Sequence, residues 1–147
     1  ADVLANDLAG EDVGVAAMSV LSNLVYENHI LQDRVLKTRT PEVLLQKIVD
    51  NRCHGRAEAA LMLAILAENP ENRRFLSKVV GRAGEKSFTC LAALSQALSA
   101  ENSTTDAKAD TGASDTRSGA ACALGFMSRY GGLPELVNVL QDGNQVQ

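Results

Sequence analysis

The chain has 147 residues and a formal net charge of −4, with 46% hydrophobic residues, only 3% aromatic residues and no Trp. This length suits one domain that folds without disulfides or metal ions. The acidic balance argues against a nucleic-acid phosphate backbone or an anionic membrane as the main ligand. With so few aromatic side chains, a core must be built from Ala, Leu, Val, Ile and Met, and such residues favour closely packed helices.

Cysteine usage and hydropathy indicate the compartment. The three cysteines, Cys53, Cys90 and Cys122, are an odd number and form no CxxC pair, so neither a disulfide framework nor a zinc site is indicated. No apolar run approaches the ~20 residues that span a bilayer, and the N-terminal residues do not resemble a secretory signal. We therefore expect a soluble cytoplasmic protein without a membrane span or a cofactor. Because the chain begins at Ala1 and not at Met, we expect a processed form or an excised segment of a longer solenoid.

Three segments share one helical pattern of apolar residues. In each segment, apolar residues stand at relative positions 0, 3, 4 and 7, which places them on one helix stripe. The second set follows the first by 42 residues, and the third follows the second by 61. Three equivalent helices are one interpretation, and an Ala-rich bundle without repeats is the alternative. The sets are Ala17, Val20, Leu21 and Leu24; Ala59, Met62, Leu63 and Leu66; and Ala120, Ala123, Leu124 and Met127.

Shorter helices are predicted between these segments. Residues 28–36 form the first, and a second begins at Thr40-Pro41-Glu42, where a capping residue, Pro and an acid coincide. After the second set, Asn69-Pro70-Glu71 starts another short helix, followed by a longer helix over residues 86–99. The predicted unit therefore contains one short helix and two longer ones.

Residues 100–116 are rich in Ser, Thr, Asp, Ala and Gly and show no apolar period. This composition predicts a flexible, solvated insert within a single domain that spans residues 1–147. The insert also accounts for the longer second spacing. Without it, the period has the length of two- or three-helix solenoid repeats.

The segment at residues 58–66, Glu-Ala-Ala-Leu-Met-Leu-Ala-Ile-Leu, and the Asn-Pro-Glu-Asn-Arg at 69–73 resemble the third helix and following loop of armadillo repeats. Residues 20–24 are similar to the core of that helix, and residues 131–137 resemble the start of a further repeat. The resemblance covers most of residues 12–140 apart from the insert. It implies an all-α fold, an alpha-alpha superhelix or armadillo/HEAT-like solenoid of about three repeats.

In that family, members such as the importin-alpha adaptors bind extended peptides along the third helices, using a Trp and an Asn four residues later. The resemblance places the Trp positions at Ser19, Leu61 and Cys122 and the Asn positions at Asn23, Ile65 and Phe126, of which only Asn23 matches. An Asn amide would bond to a peptide backbone, so binding of a basic nuclear-import signal is not expected. The apolar floor of such a groove would instead accept the apolar stripe of a partner helix. The residues of this floor are Leu61, Ile65, Cys122 and Phe126. The alternative is that they belong to the core.

A second candidate surface is the basic cluster Arg73, Arg74, Lys78, Arg82 and Lys86. Arg74, Lys78 and Arg82 recur every four residues and would share one face if a helix continued through Gly81. Such a face could bind an acidic partner, or it could simply be solvated.

Evidence for catalysis is absent from the sequence motifs. There is no phosphate-binding Gly-rich loop, HExxH, GxSxG or calcium-binding string, and the adjacent pair Cys53-His54 has no evident acidic partner. We therefore predict a protein that is not an enzyme but a scaffold or adaptor that binds a protein partner, a peptide or a helix. The alternative is a structural solenoid segment of a larger assembly or a homo-oligomer, and nucleic-acid binding through the basic cluster is a third class.

Overall fold

The computed structural model describes residues 12–50, 55–99 and 107–127, and these form seven helices and one two-stranded sheet. The described part of the chain is therefore mostly helical, as the all-α prediction expects, with a small sheet in addition. The strands β1 (Val80–Ala83) and β2 (Lys86–Thr89) lie between the fifth and sixth helices. The helices are α1 (Asp12–Val25), α2 (His29–Leu36), α3 (Thr40–Val49), α4 (Arg56–Glu68), α5 (Pro70–Leu76), α6 (Cys90–Ser99) and α7 (Ala107–Phe126).

Two short helices, α2 and α5, begin in the same way. Asn28 caps α2, and its side-chain oxygen accepts a hydrogen bond from the backbone N–H of Leu31 at 3.2 Å. Asn69 caps α5 and accepts from the N–H of Glu71 at 3.1 Å. An Asn in this position satisfies a backbone donor that the first helical turn leaves unpaired. The caps stand 41 residues apart, which gives the repeat a measurable register.

Several helices that are distant in the sequence pack against one another. The central helix α4 lies between α1 and α7, while α2 contacts α5 and α3 contacts α6. The second and third predicted stripes are buried in this arrangement. Their eight side chains, which are Ala59, Met62, Leu63, Leu66, Ala120, Ala123, Leu124 and Met127, are at most 1% exposed.

The first predicted stripe is displaced by one residue. Val20 and Leu24 are exposed, whereas Met18, Ser22 and Val25 are buried. The displacement arises because α1 is apolar on two sides, so more than one stripe with the same spacing fits its sequence. Positions of α1 and α4 that match in burial are therefore 41 residues apart and not 42.

The start of α4 lies close to the first half of α1 and to Gly119 of α7. Gly55, which directly precedes α4, is so close to α1 that an added Cβ would lie 2.7 Å from Met18 Cε. Gly119 of α7 lies against the start of α4, where an added Cβ would be 2.9 Å from Ala60 Cβ. The small residues thus bring the helices close together.

The C-terminal ends of α1 and α4 are joined by side chains of α2 and α5. Gln32 donates from Nε2 to the carbonyl oxygen of Val25 at 2.8 Å, and Asn72 donates to that of Leu66 at 3.0 Å. Gln32 Oε1 also accepts from Asn72 Nδ2 at 3.0 Å. Because both ends correspond, α1 and α4 run parallel and equivalent positions lie side by side.

Two sequence predictions are wrong in part where the structure describes the residues. Residues 107–116, predicted as the end of a flexible insert, belong to α7, while residues 100–106 lie outside the described ranges. This segment is rich in Ala, which favours a helix even where no apolar stripe is present. The helix predicted over residues 86–99 is confirmed for residues 90–99, which form α6, whereas residues 86–89 form β2 instead.

The hairpin formed by β1 and β2 has a two-residue connection, Gly84-Glu85, between the paired residues Ala83 and Lys86. Gly84 has a φ of 62°, a conformation that glycine adopts readily. Opposite Phe88, Gly81 leaves room for the aromatic ring, since an added Cβ would lie 2.5 Å from Phe88 Cε2. Helix α5 has already ended at Leu76, and the chain re-enters a helix only at Cys90.

Candidate functional site

Six residues on α1, α4 and α7 form a surface that we call the outer row. Three of its large apolar side chains are more than half exposed: Val20 at 59%, Leu24 at 55% and Leu61 at 53%. Because equivalent positions of α1 and α4 lie side by side, these residues continue from one helix to the next. The outer row comprises Val20 and Leu24 of α1, Leu61 and Ile65 of α4, and Cys122 and Phe126 of α7.

The predicted groove residues are only partly in this row. Leu61, Ile65, Cys122 and Phe126 occupy equivalent positions on α4 and α7. Ser19 and Asn23 are exposed on α1. At a spacing of 41 residues, however, the positions equivalent to Leu61 and Ile65 are Val20 and Leu24. Sequence reasoning missed these two residues because it aligned α1 with a spacing of 42. The corrected row has no polar amide.

The row is exposed at some positions and supported by the core at others. Leu61 and Cys122 are exposed, whereas Ile65 and Phe126 are partly buried and pack against the core. The interpretation as a groove floor therefore fits Leu61 and Cys122, and the interpretation as core fits Ile65 and Phe126. A change at Leu61 tests the surface, while a change at Ile65 also disturbs packing.

Arg73 connects the basic cluster with the outer row. Its guanidinium Nε donates to the carbonyl oxygen of Ala67 at 2.7 Å, and a terminal nitrogen donates to that of Glu68 at 2.9 Å. The guanidinium carbon also lies 5.4 Å from the centre of the Phe126 ring, within the range of a cation–π interaction. Arg73 thus caps the end of α4 and supports Phe126, and it is not a free cation.

The other members of the basic cluster do not share a helix face. Arg74 lies on α5, Lys78 follows it, Arg82 belongs to β1 and Lys86 belongs to β2. All four are exposed. The condition for one helical basic face, a helix that continues through Gly81, is therefore not met, because α5 ends at Leu76 and the chain turns into the hairpin.

Two cysteines lie in contrasting environments. Cys90 is buried and its Sγ lies 3.9 Å from Met127 Sδ, and this burial raises the pKa of its thiol to about 12. Cys122 is exposed on the outer row. A thiol that resists ionisation is a poor nucleophile, so Cys90 serves packing. The pair Cys53-His54 lies outside the described residues.

Within the described ranges, no group of three His, Cys, Asp or Glu side chains is arranged to hold a metal ion. None of the helices in those ranges is long and apolar enough to cross a membrane. Comparison with known proteins gives no family: no family model, no curated protein and no solved structure matches the chain.

Proposed function

We propose that this protein is a non-enzymatic scaffold or adaptor that binds a segment of a protein partner along the outer row. In this proposal the helices form a short α-solenoid of the armadillo or HEAT-like kind, with α1, α4 and α7 as equivalent third helices. The pairing of α1 with α4, α4 with α7, α2 with α5 and α3 with α6 supports such an array.

The observation that carries the proposal is the exposure of Val20, Leu24 and Leu61 on neighbouring parallel helices. Single exposed apolar residues are ordinary, but a contiguous apolar patch typically marks an interaction site. The residues come from equivalent positions, so the patch follows the direction in which the helices stack. A partner helix with an apolar stripe, laid across the three helices, fits this geometry.

Charges at the edges of the row restrict the partner further. Glu58 and Glu68 of α4 stand three residues before Leu61 and three after Ile65, so the four side chains share one helix face. At the end of α1, Glu27 is exposed at the position equivalent to Glu68. A partner segment with an apolar centre and basic residues near its ends therefore complements this surface.

A capture experiment tests the proposal with matched charge variants. The wild-type chain, the Leu61→Glu variant and a Gln96→Glu control are immobilised, and bound cellular proteins are identified by mass spectrometry. Gln96 is exposed on α6, away from the outer row, so its variant introduces the same charge at another site. We expect a partner that the wild type and the control retain and that the Leu61→Glu variant binds at least about tenfold more weakly, as desolvated apolar anchors require.

The alternative is a structural role, in which the outer row contacts another copy or further repeats of an assembly. The same exposed apolar residues support this alternative, because repeat arrays bury their faces on neighbouring units. Light scattering across a range of protein concentrations distinguishes the two functions. Self-association that Leu61→Glu abolishes, together with no captured partner, would favour the structural role.

A further inference from the structure

A cleft of about 380 Å³ lies on a different part of the molecule from the outer row. It is formed by the start of α3, the end of α5 and the first residues of β1, and none of its lining residues belongs to α1, α4 or α7. The residues that line it are Thr38, Pro41, Glu42, Phe75, Lys78, Val79 and Val80.

Apolar side chains dominate this cleft and remain accessible. Phe75 is 45% exposed and Val80 is 49% exposed, although each is large enough to gain from burial. Val79 is partly buried and packs against the core beside them. The cleft therefore offers room and apolar contact for large side chains of another molecule.

Cations without ion-pair partners border the cleft. Lys78 lines it, and Arg82 lies two residues after Val80 and hence on the same face of β1. In the part of the chain that the structure describes, neither Lys78 nor Arg82 forms a salt bridge, whereas Glu42 pairs with Arg39 at 3.6 Å. Residues 71–86 contain five Lys or Arg but only two Glu, in a chain whose net charge is −4.

We infer that this cleft is a second docking surface, for an acidic peptide segment that inserts a large apolar side chain next to Phe75 and Val80. Carboxylates on either side of the apolar anchor would pair with Lys78 and Arg82. This charge complementarity identifies the occupant, because an apolar partner without acids would leave both cations at the edge of a desolvated interface. A nucleic acid fits less well, since its phosphates gain nothing from the apolar floor and would face Glu42.

Peptide selection tests this inference without a known partner. Random peptides displayed on phage are selected on the full chain, and enriched peptides are synthesised with a fluorescent label. Binding is then measured by anisotropy at physiological salt. We expect enriched peptides to contain Phe, Leu, Ile or Met flanked by Asp or Glu.

Variants of the cleft provide the quantitative test. Lys78→Glu and Arg82→Glu should each weaken binding of the enriched peptides by about tenfold or more, and added salt should weaken wild-type binding. Phe75→Ala should cause a similar loss through lost apolar contact. Lys78→Arg, which keeps the charge, and Lys86→Glu, which lies on the other face of the hairpin, should change the affinity by less than about twofold.

Several outcomes would overturn the inference. The absence of acidic peptides from the enriched set would do so, as would acidic peptides whose binding is insensitive to both charge reversals and to Phe75→Ala. Competition by single-stranded RNA of random sequence, lost in the same variants, would assign the surface to nucleic acid. Lys78 and Arg82 are exposed, so their variants should keep the wild-type circular dichroism spectrum and remain informative even if Phe75→Ala unfolds.

Discussion

Asn72 donates a hydrogen bond from its side-chain nitrogen to Gln32 Oε1 at 3.0 Å, and both side chains are buried. Each also bonds to a carbonyl oxygen at the end of a helix, Gln32 to that of Val25 and Asn72 to that of Leu66. The pair therefore joins the ends of α1 and α4 through α2 and α5. Carbonyls at helix ends lack partners within the helix, and this bond network supplies them.

Removing either amide should destabilise the fold. We expect Asn72→Leu or Gln32→Leu alone to lower the free energy of unfolding by about 1–3 kcal/mol, because each leaves a buried carbonyl and a buried amide with fewer partners. The double variant should lose less than the sum of the two. Urea unfolding of all four proteins measures the coupling, and additivity within about 0.5 kcal/mol would show that the two amides act independently.

Gly119 sets the distance between α4 and α7. An added Cβ there would lie 2.9 Å from Ala60 Cβ and 3.0 Å from the backbone nitrogen of Leu61, so a backbone has to move to accommodate it. We expect Gly119→Ala to lower the free energy of unfolding by about 1–3 kcal/mol, the usual cost of overpacking. Chemical denaturation followed by circular dichroism measures this change.

Gly125 provides a matched control in the same helix. No atom lies within 4 Å of a Cβ added at Gly125. Ala is a better helix former than Gly, so Gly125→Ala should leave stability unchanged or raise it by up to about 1 kcal/mol. If both variants had the same effect, the close approach at Gly119 would not limit the packing of α7 on α4.

Local signals in the sequence were sufficient to predict most helices. The Asn caps and Pro residues that begin α2, α3 and α5 act through neighbouring backbone groups, which a sequence displays directly. The buried stripes of α4 and α7 were also predictable, because each of those helices has one clear apolar face. The register of α1 was not, since Val20 and Leu24 are apolar yet exposed. Which of two apolar faces is buried depends on packing with α4, and periodicity alone cannot decide it.

The hairpin shows a different limit. Val79, Val80 and the Gly84-Glu85 pair are signals of a strand and a tight turn, and they were available in the sequence. The predicted unit contains only helices, so it includes no strand at these residues. The cleft could not be predicted, because it depends on the distance between Pro41 and Phe75, which are far apart in the chain.

Cys90 should make stability depend on pH in the alkaline range. Burial raises the pKa of its thiol from about 9 to about 12, so between these values the unfolded chain releases a proton that the folded chain retains. Stability contributed by the neutral thiol is complete below pH 9 and is lost as pH rises toward 12, at up to about 1.4 kcal/mol per pH unit. Urea unfolding between pH 8 and pH 11, values spanning this window, should show a steeper loss for the wild type than for Cys90→Ala. Parallel curves would mean that the thiol ionises equally in both states.

The exposure of Cys122 predicts selective modification of the outer row. In a Cys53→Ser background, N-ethylmaleimide should modify Cys122 in the native protein, while buried Cys90 reacts only through unfolding. With an ordinary stability of at least 5 kcal/mol, modification of Cys90 should be about a thousandfold slower or more. Mass spectrometry of peptides after timed quenching measures both rates, with a denatured sample as the control in which both thiols react. Comparable native rates would contradict the buried position of Cys90 between α6 and α7. A bulky maleimide at Cys122 should also block capture of a partner by the outer row, whereas binding of acidic peptides at the cleft should continue, because the two surfaces share no residue.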